Sequence, residues 1–284
     1  MYSLKRVSGE ALSLTEEHEA IARPRRGEIH WSAFDRSQFS HTQLDAAAAL
    51  WATRAVQEMH SLALFTHLAS QLHLLGAPLD WSGAFARMIA DEVRHTDLCM
   101  RMCDALGRPT SPSIDPTRLH LLEERSARLH VRHVVISAFC IGETISGRMF
   151  KRALKASNVP LAREVTGAIV IDETFHGELG WELGALLMRG DESSADERAT
   201  LAGDLPKLFA HYARLCCASR GPSWARLEPE VDDGPNFGTM TDAGYARAFF
   251  DGMEEDVVPG LVAIGLSEAE PAYAALVAAL NERC

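Results

Sequence analysis

From about Thr42 onward the chain repeats one design. Long stretches without proline carry apolar side chains every three or four residues, the period of a helix with one buried face. The first stretch runs to about Leu75 and stops at Gly76-Ala77-Pro78, where glycine ends a helix and proline cannot continue it. A second opens at Asp80, a side chain suited to capping a helix N-terminus, and ends near Gly107. A connection bearing Pro109, Pro112 and Pro116 leads to a third stretch, about Thr117 to Ala156, with a break expected near Leu129. Ser157 to Pro160 reads as a turn, and a fourth helix is predicted from Pro160 to about Arg189. A fifth is predicted over 195–220, a loop over 221–240, and two shorter helices near 241–256 and 268–282. Strand signals are nearly absent, so the predicted class is all-α. Residues 1–41 are polar and mixed and read as an N-terminal arm. Residues 42–189 hold four core helices, and 190–284 form a helical extension packed on them, serving either as a lid or as a dimer surface.

In each core helix the apolar stripe is interrupted at one level by a glutamate. On the first helix the face is Trp51, Ala55, Glu58, Leu62, Phe65, Ala69 and Leu72; on the second it is Trp81, Phe85, Met88, Glu92, His95, Cys99, Met102 and Leu106. The third gives Ile136, Phe139, Glu143, Phe150 and Leu154, and the fourth Val165, Ile169, Glu173, His176, Gly180, Leu183 and Leu187. A buried, unpaired carboxylate costs several kcal/mol or stays protonated, on the order of what a small fold can tolerate once. Four at one level require positive charge between them, and two divalent ions with two neutral imidazoles cancel the charge.

The numbering supports such a level. Glu58 and Glu92 lie symmetrically about residue 75, beside the first turn, and Glu143 and Glu173 about residue 158, in the turn before Pro160. Helices joined by a short turn run antiparallel, so each pair stands at equal height. The motif D-E-x-x-H occurs twice, as Asp91-Glu92-Val93-Arg94-His95 and Asp172-Glu173-Thr174-Phe175-His176, against a chance expectation from composition well below one. Glutamate and histidine three residues apart share a helix face and can chelate one ion.

Composition narrows the partners. The 284 residues are 47% hydrophobic and 24% charged, as in an ordinary globular chain, and carry a net charge of −11. That excess of acid argues against nucleic acid or an anionic membrane as the main partner. No apolar run approaches the length of a membrane span, no secretory leader is visible at the start, and the six cysteines form no paired C-x-x-C, so a reduced, cytoplasmic protein is expected.

Over residues 42–189 the chain resembles the ferritin-like di-iron carboxylate proteins, which combine a glutamate from each of two helices with two Glu-x-x-His motifs. The resemblance implies a four-helix bundle with a long crossover between helices 2 and 3, followed here by additional C-terminal helices. It implies that Glu58, Glu92 and His95 bind one metal and Glu143, Glu173 and His176 the other, with Glu92 and Glu173 bridging. The aspartates Asp91 and Asp172 look like the oxygen-activating branch, similar to bacterial multicomponent monooxygenases, in which they hydrogen-bond the ligand histidines; Arg94 would neutralise them. Cys99, four residues after His95, is also similar to those hydroxylases. Small subunits of ribonucleotide reductase have a radical-forming tyrosine there; all four tyrosines here are expected outside the helical core, against a stored tyrosyl radical. Ile169 stands where arylamine N-oxygenases of this fold have an extra histidine, so that activity is not carried over.

The function implied is a dioxygen-activating oxygenase or oxidase acting on a small organic substrate. Two iron ions are the expected cofactor, with manganese or a mixed Mn/Fe pair as the alternative, since the ligand set is rich in oxygen. No dinucleotide fingerprint follows a strand, so an external reductase or ferredoxin is the expected electron donor. Phe65, Phe85, Met88, Cys99, Phe139, Phe150 and Ile169 are candidates for a dry pocket beside the metals, core packing being the plainer role for each. Two other readings stand beside this one: an iron- or peroxide-handling protein of the ferritin or rubrerythrin kind, and a helical scaffold with a structural metal. His60, His67, His73, His120, His130 and His133 lack a matching partner set and are expected to be at the surface or incidental, and Cys216-Cys217 to lie on the fifth helix.

Overall fold

The computed structural model describes residues 2–3, 12–115, 126–189 and 195–283. Helices dominate them; the strands are two-residue segments, β1 (Tyr2–Ser3) and β2 (Ser113–Ile114), paired antiparallel. The predicted helix start at Thr117, His120 and the polar segment at 190–194 lie outside the described residues.

Contacts divide the chain into two compact units, residues 1–127 with 158–169 and residues 128–157 with 170–284. The first is built on a hairpin of α2 (His41–Leu74) and α3 (Leu79–Ala105). Ser40 begins α2 with a capping box: its hydroxyl accepts from the Gln43 amide while the Gln43 side chain accepts from the Ser40 amide. Gly76, at φ +79°, takes the left-handed conformation that ends α2. Asp80 does not cap α3; the helix starts one residue earlier, after Pro78, and Asp80 adds negative charge to its first turn instead. Trp51, Phe65, Leu68, Phe85, Met88 and Met102 are buried in this unit. The N-terminal helix α1 (Leu12–Ala22) packs on α3.

The second unit opens with α4 (Ala127–Val134), which passes without a break at Leu129 into a π-helix over Val135–Glu143 and then α5 (Thr144–Ala156). The irregularity expected near Leu129 therefore falls a turn or two later, as widened turns rather than an interruption. After the 157–159 turn, α6 (Pro160–Leu187) begins on a proline, whose missing N–H costs nothing at a first turn. The π-helix approaches α6 where glycines leave room: a Cβ on Gly180 would lie 2.8 Å from Phe139 Cβ, and one on Gly184 2.7 Å from Cys140 Sγ.

The rest of this unit is α7 (Ala195–Leu215), α8 (Pro222–Leu227), α9 (Asp242–Gly252), a short π-helix (Met253–Val257), α10 (Val258–Ala263) and α11 (Ala269–Asn281). The segment expected as a loop thus contains α8, begun by Pro222 at its first turn. Cys216 and Cys217 fall just past the end of α7, with Cys217 at φ +56°. Phe209, Phe249, Phe250, Met253 and Leu261 are buried. Among the described residues no helix is long and apolar enough to cross a membrane.

Candidate metal centre

In the first unit the α2–α3 hairpin brings Glu58, Glu92 and His95 together. All three are buried, and His95 Nδ1 lies 3.5 Å from Glu58 Oε2 and 4.0 Å from Glu92 Oε1. In the second unit the same arrangement recurs: His176 Nδ1 is 3.8 Å from Glu143 Oε2 and 3.9 Å from Glu173 Oε1, again all buried. Within each trio the ligand atoms lie within 4.8 Å of one another.

These distances suit a shared ion better than direct hydrogen bonds. Two donors bound to one ion at about 2.0–2.2 Å stand about 3.0–4.2 Å apart, depending on the angle between them, whereas a hydrogen bond closes to about 2.9 Å. Charge gives the same answer. Two carboxylates and a neutral imidazole carry two negative charges, which one divalent cation cancels in a site closed to water. The residues of both trios therefore fit a metal.

Without an ion, Glu143 keeps its proton more tightly than an ordinary carboxyl: burial first and the neighbouring Glu173 second raise it, against the pull of His176, to about 7. In the first unit, burial drives the Cys99 thiol well above its usual range and the charge of Glu58 adds to it. Cys99 is thus a neutral thiol near the first trio, made inert by the same burial.

The predicted supporting residues have particular partners. Asp91 is fully buried, and its Oδ1 accepts from Arg94 Nη1 at 2.7 Å and from Arg25 Nη2 at 2.5 Å. Arg94 Nε also donates to the carbonyls of Ile21 and Arg23, so one guanidinium ties the end of α1 to the residue before Glu92. Asp172 is fully buried as well. Phe65, Phe85, Met88, Cys99, Phe139, Phe150 and Ile169 are all buried.

The second unit has a cavity of about 660 Å³ that reaches Glu143 and Glu173. Neither Phe139 nor Phe150 lines it; its walls come from α5 and α6, with Gly147, Gly177, Trp181, Arg148, Lys151, Arg152 and Lys155 among them.

Sequence reasoning missed several neighbours of the trios. Arg54 is buried one turn before Glu58 and stacks on the Trp51 indole at 4.7 Å from the ring centre, placing a permanent positive charge in that interior. Tyr212, expected outside the helical core, donates its hydroxyl to the Ser137 carbonyl of the π-helix at 2.7 Å. Burial raises its phenol pKa, and the charge of Glu143 raises it further. It bears directly on the turn that presents Glu143, and a Cβ on Gly142 would stand 2.7 Å from its oxygen. His130, expected to be at the surface or incidental, is buried, and His133 pairs with Asp204 at 3.2 Å.

No family model matches the chain, and no curated protein or solved structure matches it significantly.

Proposed function

We propose that the chain is a ferritin-like di-iron oxygenase or oxidase, in which both trios together hold two iron ions and oxidise a small organic substrate with dioxygen. The observation that carries this reading is the repetition of one buried Glu/Glu/His trio, each built on a D-E-x-x-H helix and each with donor spacing fit for a single ion. Random burial of acidic side chains does not produce the same ligand set twice, in separate units, from the same motif. The symmetry of Glu58 with Glu92 and of Glu143 with Glu173 about their turns sets each pair at one height within its own hairpin, as the ferritin-like reading requires.

A pair of irons supplies the two-electron reduction of dioxygen that neither protein side chains nor a single closed-shell ion can perform. The chain's own residues do the rest. The four glutamates would hold the two ions and cancel their charge. His95 and His176 contribute one nitrogen each. Asp91, held by Arg94 and Arg25, fixes the charge beside Glu92. Trp51, Phe65, Met88 and Phe139 are buried on the same helices that carry Glu58, Glu92 and Glu143. Electrons come from a separate reductase or ferredoxin.

Metal analysis of protein from iron-supplemented cells tests the reading, together with absorption spectra before and after oxygen is admitted to the reduced protein. Two irons per chain and an oxygen-dependent spectral change are expected, with iron lost in Glu92→Ala and Glu173→Ala. Iron near zero, or unchanged in both variants, would overturn it.

A further inference from the structure

The cavity in the second unit combines two features. At one end lie the ligand glutamates Glu143 and Glu173; along its wall, α5 presents Arg148, Lys151, Arg152 and Lys155, one face of the helix at i, i+3, i+4 and i+7. Two of these cations are already compensated. Arg148 contacts Asp256 at 2.6 Å and Glu255 at 2.7 Å, and Arg152 contacts Glu230 at 2.8 Å and also Asp251. Among the described residues, Lys151 and Lys155 have no carboxylate partner. With Arg148 and Arg152 each held by two carboxylates, Lys151 and Lys155 are the lining cations left to meet an anionic ligand.

The remaining walls are kept open and stiff. A Cβ on Gly147 or Gly177 would meet nothing within 4 Å, so both glycines leave space where other residues would fill it. The Trp181 indole is fixed by its N–H to Thr144 Oγ1 at 3.0 Å and flanked by Gly260, where no side chain fits.

We infer that this cavity binds the substrate, and that the substrate is an elongated organic monocarboxylate whose acid group docks on Lys151 and Lys155 while its other end reaches Glu143 and Glu173. The inference rests on the di-iron reading for the purpose of the site, though not for the binding itself. Two lysines in a lining that also holds Glu178, Glu230 and Asp256 suit a monoanion better than a phosphate dianion, which those carboxylates repel more strongly. Lys151 and Lys155, both exposed, stand eight and twelve residues beyond Glu143, about 12 and 18 Å along the helix axis, a separation that an eight-carbon acid and a flexible lysine side chain can span together.

Equilibrium dialysis of the full chain with octanoate, octanol and octyl phosphate, metal-loaded and metal-free, tests this. Saturable octanoate binding is expected in both forms, about tenfold weaker in Lys151→Ala/Lys155→Ala and lost in Gly147→Leu, with the metal content of both variants unchanged. Four results would each overturn it: no saturable binding, octanol binding as tightly as octanoate, octyl phosphate binding tenfold tighter, or binding that survives both variants. Lysine-dependent binding in a chain that takes up no iron would sink the di-iron reading and leave this one standing; iron without octanoate binding would do the reverse.

Discussion

In protein stripped of metal, Glu143 should make the fold lose stability as the pH rises from about 4.5 to about 7. Below that window its carboxyl is protonated in both the folded and unfolded chain. Within it the unfolded chain has released the proton while the folded one keeps it, so folding is favoured on the acid side and the advantage is lost toward neutrality. Above about 7 the folded carboxylate is charged beside Glu173 in a dry interior. The separation of about 2.5 between the two values, at about 1.4 kcal/mol per pH unit, amounts to an effect on the order of 3 kcal/mol. Glu143→Gln keeps the size of the side chain and removes its titration. Urea unfolding of both proteins with chelator present, at pH 5 and pH 8, should show the variant gaining on the parent by roughly 2–3 kcal/mol at the higher pH. A difference between the two proteins that does not change with pH would refute the reasoning. With iron present the direction reverses, because the ion must displace the Glu143 proton, and affinity should rise across the same window.

Three other changes probe the surroundings. Gly180→Ala forces a methyl to within 2.8 Å of Phe139 Cβ and should cost about 1–3 kcal/mol in denaturant unfolding by pushing the π-helix off α6. Tyr212→Phe removes the 2.7 Å hydrogen bond to Ser137 and should cost about 1 kcal/mol, with weaker binding of the second iron in a metal titration. Arg94→Ala frees the carbonyls of Ile21 and Arg23, so limited trypsin digestion should cut at Arg25 or Arg26 faster than in the parent while the α2–α3 hairpin stays intact.

The glutamate-bearing stripes were legible in sequence because an α-helix repeats every 3.6 residues, so an acid at a core position stands out against its apolar neighbours. The spacing of Glu92 with His95 and of Glu173 with His176 fixes a shared face with no knowledge of the fold. The π-helix was not legible. Val135 to Glu143 contains no proline or other marker, and the widening of its turns is visible only in the backbone bonds. Tyr212 lies on α7, outside the four core helices as expected, but its contact with the π-helix was not legible: it is far from Glu143 in sequence, and no periodicity on α7 reports what that helix packs against. Arg54 could have been suspected, since it sits one turn from Glu58, but a charged residue beside an apolar stripe more often points to solvent. The basic face of α5 is plain in the sequence as a polar stripe; that it borders a cavity follows only from coordinates.

Each trio takes its three side chains from one unit, so on the di-iron proposal either could take up an ion before the other. A chain holding one ion would then have half of its trio charge settled, and loading would be two consecutive equilibria rather than one concerted event. On the same proposal the protein could be filled with one metal and then another, its composition following the order and supply of ions rather than ligand identity, which is the same in both trios.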